Sequence, residues 1–302
     1  MRKKDKIKKI VKEGYGRIAL TETSCCSFDS SCCGEAGSQQ ISKKIGYTEE
    51  ELRGIPKEAN LGLGCGHPVA LASLKPGEVV LDLGSGSGID RFLAAQRVGP
   101  EGRVIGIDMT PEMIARARLI AQREGYKNVE FRLGEIENLP VADNSIDVII
   151  SNCVINLSPD KKRVFEESYR VLKPGGRFLI SDLVLLKPLP DFIQKSVAAY
   201  IGCLSGAILK ENYIKLIEKA GFEDVRIIKE SPFPIELMAN DATARAIQDD
   251  SEICSGRLRI EDFVVSIQVS GFKRLPEPIP FSLKKLKAEK AGFFNLWGKR
   301  FS

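Results

Sequence analysis

The chain has 302 residues, of which 43% are hydrophobic and 28% are charged, and its formal net charge at pH 7 is +5. This length can bury one complete core and part of a second one, which predicts a main domain with smaller additions. The basic residues concentrate at the two ends without an aromatic-rich groove or a reading motif, which argues against nucleic-acid binding. Charged residues interrupt every apolar stretch, so we expect a cytoplasmic protein without a membrane span.

Residues 1–60 are predicted to form an appendage that carries cysteines. Their basic start leads into apolar residues at helical spacing, which predicts an amphipathic helix rather than a secretory signal. A short helix should begin after Thr48, because Thr48 and Glu51 match a capping box. Four thiols lie between these helices, and although their spacing is not that of a zinc finger, they could still form a metal site. These cysteines, which we expect to be exposed and flexible, are Cys25, Cys26, Cys32 and Cys33.

From Val79 onward, short apolar strands alternate with amphipathic helices. We predict strands over 79–83, 104–108, 129–133, 146–151 and 178–185, and helices over 88–98, 111–124 and 159–172. Thr110 and Ser158 are the predicted N-cap residues of the second and third helices. Strict alternation of this kind is typical of an α/β fold in which helices cover both faces of a doubly wound, mostly parallel sheet.

After Leu185 the alternation loosens into a small C-terminal α+β part. The pattern predicts helices over 192–204 and 211–220, and strands over 225–229 and 264–273. We therefore assign residues 61–230 to the main domain, residues 231–274 to a part that covers its pocket, and residues 275–302 to a basic tail. Cys254, in the covering part, is predicted to be structural.

A glycine-rich turn joins the first strand to its helix and predicts a bound cofactor. The alternate glycines after Asp82 differ from the G-x-G-x-x-G spacing of dinucleotide enzymes. Asp108 ends the second strand, where it can accept hydrogen bonds from a ribose, and Glu135 follows the third strand, where it can bind an adenine amino group. This set favours S-adenosylmethionine, and the alternative is that its members are only turn glycines and capping acids. The predicted cofactor residues are Asp82, Gly84, Ser85, Gly86, Gly88, Asp108, Met109, Glu135, Ile136 and Asn152.

Three further cysteines lie in loops that can reach the same pocket. Cys65 precedes the first strand, Cys153 follows the fourth strand, and Cys203 lies in the segment that should cover the other side. A free cysteine is most often a small buried hydrophobic residue, which is the plain alternative. Three thiolates together would select a soft, thiophilic atom over magnesium or calcium, and zinc stays a possibility. Nearby positive charge or loop amides should lower the pKa values of these thiols.

The glycine turn, Asp108 and the stretch Leu172-Lys173-Pro174-Gly175-Gly176 resemble the class I, Rossmann-like methyltransferases that use S-adenosylmethionine, over residues 62–221. Four shorter stretches narrow this resemblance to the arsenite methyltransferases. They are Asn60-Leu61-Gly62-Leu63-Gly64-Cys65-Gly66, Asp108-Met109-Thr110-Pro111-Glu112-Met113, Ser151-Asn152-Cys153-Val154-Ile155-Asn156-Leu157 and Gly202-Cys203-Leu204-Ser205-Gly206-Ala207. His67 departs from the small polar residue expected between Gly66 and Pro68 in that family, and it either hydrogen-bonds within the loop or has no catalytic part.

The resemblance implies that thiolates bind trivalent arsenic, which S-adenosylmethionine then methylates. Cys153 and Cys203 would hold arsenic through the cycle, and Cys65 would be a third ligand and a partner in a transient disulfide. A thiol reductant, thioredoxin or glutathione, would keep arsenic trivalent. An N-terminal cysteine or cysteine pair would assist arsenic capture or relay reduction.

Two other functions stay open at this point. One is a methyltransferase for a small organic acceptor, such as a quinone or a sterol, whose activity would not depend on the cysteines. The other is a non-catalytic arsenic- or metal-binding protein, which the glycine turn and Asp108 disfavour. We expect a monomer whose substrate is arsenite or its thiol conjugates.

Overall fold

The structure is a computed structural model that describes residues 3–20, 35–194, 196, 199–200, 202–232 and 259–276. The predicted pairs Cys25-Cys26 and Cys32-Cys33 lie outside the described residues, as do Cys254 and the tail from residue 277 onward. The predicted covering part is described only at its two ends, so the division into domains stays a prediction.

Within the described residues, seven strands form one sheet in the order β3-β2-β1-β4-β5-β7-β6. The strands are β1 Val79–Leu83, β2 Arg103–Asp108, β3 Val129–Leu133, β4 Ile146–Asn152, β5 Leu172–Leu185, β6 Glu223–Pro232 and β7 Val264–Phe272. Strands β1 to β5 are parallel, whereas β7 runs antiparallel to both β5 and β6. The predicted α/β fold with a doubly wound, mostly parallel sheet is confirmed. The chain order reverses between β1 and β4, which is where such sheets bind ligands.

Helices cover both faces of this sheet. They are α1 Lys3–Leu20, α2 Glu35–Lys44, α3 Glu49–Arg53, α4 Pro68–Leu71, α5 Ile89–Val98, α6 Pro111–Arg123, α7 Lys161–Val171, α8 Asp191–Gln194 and α9 Lys210–Lys219. Neighbouring strand residues point to opposite faces, so Leu81 packs with α7 and α9, whereas Val80 packs with α5 and α6. Burial of each such side chain contributes roughly 1.5–3 kcal/mol to folding.

The helix starts differ from the prediction in their capping groups. The capping box of α3 is confirmed, because Thr48 and Glu51 hydrogen-bond each other's main-chain N–H groups. Ser158 is not the cap of α7, because that helix begins later and the Asp160 carboxylate accepts from the N–H of Arg163. Thr110 does stand at the N-cap of α6, but its side chain makes no capping hydrogen bond.

Two other elements differ from the sequence pattern. Strand β5 begins at Leu172, because the main chain at Gly175 hydrogen-bonds Lys273 beyond the neighbouring strand β7 and so continues the sheet through the Pro-Gly-Gly stretch. The helix predicted over 192–204 stops short of Cys203, which lies in a turn.

Helix α1 packs across α6 rather than standing apart from the main sheet. Val11 and Ala19 are buried, and the main-chain carbonyl of Ala19 accepts a hydrogen bond from Arg116 Nη1 at 3.1 Å. Helix α2 was not predicted from the sequence, since its residues are largely polar. Among all described helices, none combines the length and the apolar character needed to cross a membrane.

Candidate active site

The glycine turn follows β1 at the C-terminal edge of the sheet, beside Asp108 at the end of β2. One carboxylate oxygen of Asp108 accepts from the N–H of Gly86 at 2.9 Å, and the other accepts from the N–H of Thr110 at 2.8 Å. Burial raises the pKa of Asp108, and these two hydrogen bonds oppose that shift. Each oxygen keeps a lone pair that can accept from a ribose hydroxyl.

The cofactor turn touches the segment that follows Cys153. Gly84 has a φ of 65°, and a Cβ at this position would collide with the side chain of Val154. Only glycine fits such a position without strain. Beside it, the buried Ser85 hydroxyl has no hydrogen-bond partner among the described residues. At this turn the main chain of Gly84 therefore lies close to Val154, and the unpaired hydroxyl of Ser85 lies beside it.

The turn rests on a buried cation, Arg91, that the sequence analysis missed. Its guanidinium donates to the main-chain carbonyl of Ser85, lies 4.2 Å from the ring centroid of Phe131, and stands 3.5 Å from a carboxylate oxygen of Asp82. Burial raises the pKa of Asp82 and lowers that of Arg91, and their mutual attraction opposes both shifts. The sequence did contain one sign of such a cation: Asp82 lies inside a buried strand, where a carboxylate requires a partner.

Glu135 lies after β3, as predicted, and it forms an ion pair with α1. Lys8 Nζ is 2.7 Å from Glu135 Oε2 and 3.2 Å from Glu137 Oε1. Although burial alone would lower it, the pKa of Lys8 is raised by these two carboxylates. Ile136 is buried beside them, and Met109 packs against the cluster that contains the thiols. The carboxylate predicted to bind adenine is thus held by a lysine in this structure.

Asn152, which we predicted to bind the cofactor, holds the loop of Cys65 in this structure. Its Oδ1 accepts from the N–H of Cys65 at 3.0 Å, and its Nδ2 donates to the Gly66 carbonyl at 2.8 Å. The same amide nitrogen lies 3.1 Å from a carboxylate oxygen of Asp90. In this arrangement both ends of the side chain fix the position of Cys65.

His67 also anchors this loop. Its ring is buried, stacks on Tyr47 with 4.0 Å between ring centroids, and places Nδ1 3.3 Å from the carbonyl of Gly46. The polar contact of His67 therefore reaches the turn after α2 rather than a group in its own loop.

The three loop cysteines converge on one place. The sulfur atoms of Cys65 and Cys153 and a carboxylate oxygen of Asp182 all lie within 4.8 Å of one another. Cys203 Sγ donates to the carbonyl of Cys153 at 2.8 Å, and a hydrogen-bonding contact also joins these two thiols. Cys153 and Cys203 have φ angles of 58° and 64°, a region that few non-glycine residues adopt. Their surroundings must hold these strained conformations.

The prediction that nearby positive charge lowers the thiol pKa values is wrong. Burial raises the pKa of Cys65, and the hydrogen bond with Cys153 together with burial raises the pKa of Cys203. The pKa of Cys153 is also raised, because the contact with Cys65 and burial outweigh the opposing effect of Cys203. The buried carboxyl of Asp182 adds to all three shifts, so the thiols keep their protons at neutral pH.

Asp182 is a second residue that the sequence analysis missed. Its carboxyl accepts from Asn156 Nδ2 at 2.8 Å, from the N–H of Leu183 at 2.9 Å and from the Tyr213 hydroxyl at 3.0 Å. Burial raises the pKa of Asp182 to about 7, and burial lowers the pKa of the nearby Lys161 to about 8. The only sign of this residue in the sequence was its position as an acid inside the apolar stretch of β5.

Helix α1 supplies a third missed residue, Tyr15. Its hydroxyl hydrogen-bonds the thiol of Cys203, and its ring packs in the cluster that contains Cys65 and Cys153. The helical spacing of α1 predicted the helix but not the surface that it covers.

Comparison with known proteins gives the family of this chain. A family described as "Methyltransferase domain" matches residues 74–221. The chain is 48% identical to the arsenite methyltransferase of Halobacterium salinarum, over 74% of this chain and 59% of that protein. It is 45% identical to the arsenite methyltransferase of Aquipseudomonas alcaligenes, over 57% of this chain and 51% of that protein. The chain thus spans less than two thirds of the length of these relatives.

A solved structure supports the same assignment. CrArsM, an arsenic(III) S-adenosylmethionine methyltransferase from Chlamydomonas reinhardtii, has a TM-score of 0.59 and 32% sequence identity to this chain. The match covers 79% of this chain and 75% of CrArsM. The chain belongs to the arsenite methyltransferase family of S-adenosylmethionine-dependent methyltransferases.

Proposed function

We propose that this chain transfers a methyl group from S-adenosylmethionine to trivalent arsenic held by Cys65, Cys153 and Cys203. One observation carries this proposal: three thiols from separate loops meet at the edge of the sheet where the glycine turn lies. Soft thiolate ligands select thiophilic atoms over hard cations. A site for an organic acceptor would need no such convergence.

The residues at the glycine turn fit S-adenosylmethionine. The lone pairs of Asp108 would accept from the ribose hydroxyls, and the unpaired hydroxyl of Ser85 offers a further polar contact. When bound, S-adenosylmethionine supplies a methyl group on a positively charged sulfur, which the lone pair of thiolate-bound arsenic(III) can take. Because that lone pair carries no proton, the chain needs no general base for the transfer.

Raised thiol pKa values are compatible with arsenic binding. Arsenous acid carries three hydroxyl groups, and each As–O bond that breaks as an As–S bond forms releases one water that contains the thiol proton. Three thiols and one arsenous acid therefore give a trithiolate and three waters, with no net release of protons. The buried cluster then contributes orientation of the reactants, an effect that reaches roughly 7–11 kcal/mol in well-aligned reactions.

The reaction must also return arsenic to the trivalent state. Methylation uses the arsenic lone pair and formally removes two electrons from arsenic, so two thiols must supply two electrons and become a disulfide. We assign Cys65 to this disulfide. Its As–S bond breaks as its sulfur bonds to the thiol of the reductant, whose proton is released, and the methylated arsenic(III) stays on Cys153 and Cys203. A thioredoxin- or glutathione-type reductant would then restore the thiols, which places the reaction in a reducing compartment such as the cytoplasm.

The test is to incubate the purified chain with S-adenosylmethionine, arsenite and a thiol reductant, and to separate the arsenic species over time. We expect methylated arsenic from the wild type and none from Cys153→Ser. Calorimetry should show unchanged S-adenosylmethionine binding in that variant.

Two other results would overturn the proposal. Cofactor binding without methylated arsenic would favour an organic acceptor. Tight arsenic binding that the cofactor does not alter, again without product, would favour a non-catalytic binding protein.

A further inference from the structure

Helix α1 lies outside the matched methyltransferase segment, yet it contacts both halves of the candidate site. At the cofactor end, Lys8 pairs with Glu135 at 2.7 Å. Beside this, Lys4 Nζ lies 2.6 Å from a carboxylate oxygen of Asp160, at the start of α7. The far end of α1 is held by Arg116 of α6. These contacts fix α1 beside Glu135, α6 and α7.

Among the α1 residues in the thiol cluster, Tyr15 carries a hydroxyl that hydrogen-bonds a thiol. Its ring packs in the same apolar cluster as Met109 and the three cysteines, and its hydroxyl hydrogen-bonds Cys203. The carboxylate of Asp108 also acts electrostatically on this hydroxyl. Tyr15 thus interacts both with the acid predicted to bind ribose and with a sulfur predicted to bind arsenic.

The hydrogen bonds of Cys203 change when arsenic binds. In the thiol form, Cys203 donates to the carbonyl of Cys153 and accepts from the hydroxyl of Tyr15. Formation of an As–S bond removes the thiol proton, so the donation to Cys153 ends. The hydrogen bond from Tyr15 can persist, because the arsenic-bound sulfur keeps lone pairs that accept from the hydroxyl. Among the hydrogen bonds described for Cys203 Sγ, it is the one that can still orient the sulfur.

We propose that Tyr15 is a positioning residue of the arsenic site, which fixes Cys203 Sγ in the direction that arsenic requires. This inference rests on the proposed function, since it assigns Tyr15 to the same thiol site. It makes α1 a part of the active site rather than an appendage.

The experiment follows the release of a trivalent arsenical from the full chain. Phenylarsine oxide, which binds pairs of thiols, is loaded onto the protein, and an excess of dimercaptopropanol then removes it while native mass spectrometry records the bound fraction. Tyr15→Phe keeps the ring and removes the hydroxyl. We expect release to be up to about 10-fold faster, the upper range for losing one neutral hydrogen bond.

Two further variants show whether Tyr15 acts by positioning Cys203 or only by supporting the fold. Tyr126→Phe removes a hydroxyl that contacts Gln96, and it should leave the release rate unchanged. In a Cys203→Ser background, Tyr15→Phe should no longer accelerate release, because its partner sulfur is absent. An unchanged rate in Tyr15→Phe, or the same acceleration in both backgrounds, would overturn the inference. If the wild type binds the arsenical but never methylates arsenite, the proposed function fails instead.

Discussion

The thiol of Cys203 donates a hydrogen bond to the main-chain carbonyl of Cys153, with 2.8 Å between sulfur and oxygen. Both residues hold left-handed backbone conformations, which cost about 1–3 kcal/mol each for residues other than glycine. The contact joins the turn after β4 to the loop before α9. The two sulfur atoms are therefore brought together by the fold before any ligand arrives, so binding need not order these loops.

The main-chain contacts of Asp108 predict its effect on cofactor binding. In wild type the Asp108 carboxylate accepts hydrogen bonds from two main-chain N–H groups. In Asp108→Asn, the amide nitrogen must face one of these N–H groups, so that hydrogen bond is lost. We expect the dissociation constant of S-adenosylmethionine to rise about 10- to 100-fold, the range for losing a hydrogen bond to a charged group. Calorimetric titration measures it. Asp143→Asn, at an exposed carboxylate that pairs with Arg170, is the control, and equal affinities in the two variants would contradict the assignment.

The ion pair between Lys8 and Glu135 predicts that α1 competes with the cofactor. If Glu135 binds adenine, Lys8→Met should free this carboxylate and tighten S-adenosylmethionine binding. A partly exposed ion pair contributes up to about 1 kcal/mol, so the gain should not exceed about fivefold. Lys12→Met, at an exposed position of the same helix, should leave the affinity unchanged. Weaker binding in Lys8→Met would show that Lys8 itself helps to hold the cofactor.

The close approach of Gly84 to Val154 predicts that one added methyl group at Gly84 lowers the stability of the fold. Gly84→Ala forces a collision at a positive φ, whereas Gly99→Ala meets open space at a similar φ of 69°. We expect Gly84→Ala to lower the free energy of unfolding by about 1–3 kcal/mol more than Gly99→Ala does. Urea unfolding of both variants provides the comparison. Equal losses would mean that backbone strain alone accounts for the effect.

Burial of Asp182 predicts a pH dependence of stability. Burial raises the pKa of Asp182 from its ordinary value of 3.8 to about 7. The folded state therefore binds more protons than the unfolded state between these values, so this carboxyl destabilises the fold progressively as the pH rises through that window. The slope from one such group is on the order of 1 kcal/mol per pH unit.

Asp182→Asn removes this titration while keeping the shape of the side chain. Urea unfolding at pH 5 and pH 7 should show that the wild type loses more stability than the variant over this interval. Parallel losses in the two proteins would mean that Asp182 keeps an ordinary pKa in the folded state.

The sequence allowed the sheet and the meeting of the thiols to be predicted for a simple physical reason. Parallel strands end at one edge of a sheet, so Cys153 after β4 and the glycine turn after β1 had to lie close together. The position of Cys65 was harder to predict from the sequence. Its loop is held by a hydrogen bond to Asn152, which lies 87 residues further along the chain. This hydrogen bond was not predicted, since periodicity carries no information on such distant pairs.

The missed residues share a related cause. Asp182 and Arg91 lie inside apolar elements, where their partners depend on how the sheet faces pack. Tyr15 lies on an amphipathic helix whose pattern reveals an apolar face but not the surface beneath it. The N-cap of α7 is Asp160 rather than Ser158, because the Ser158 hydroxyl accepts from the N–H of Asp160, which precedes the first turn of the helix.

X-ray absorption spectroscopy of the arsenite-loaded protein counts the sulfur ligands of arsenic and so tests the three-thiol site without relying on turnover. We expect three sulfur ligands in the wild type, and two sulfur ligands with one oxygen in Cys65→Ser. An arsenic atom bound mainly by oxygen in the wild type, or an unchanged sulfur count in Cys65→Ser, would contradict the three-thiol site.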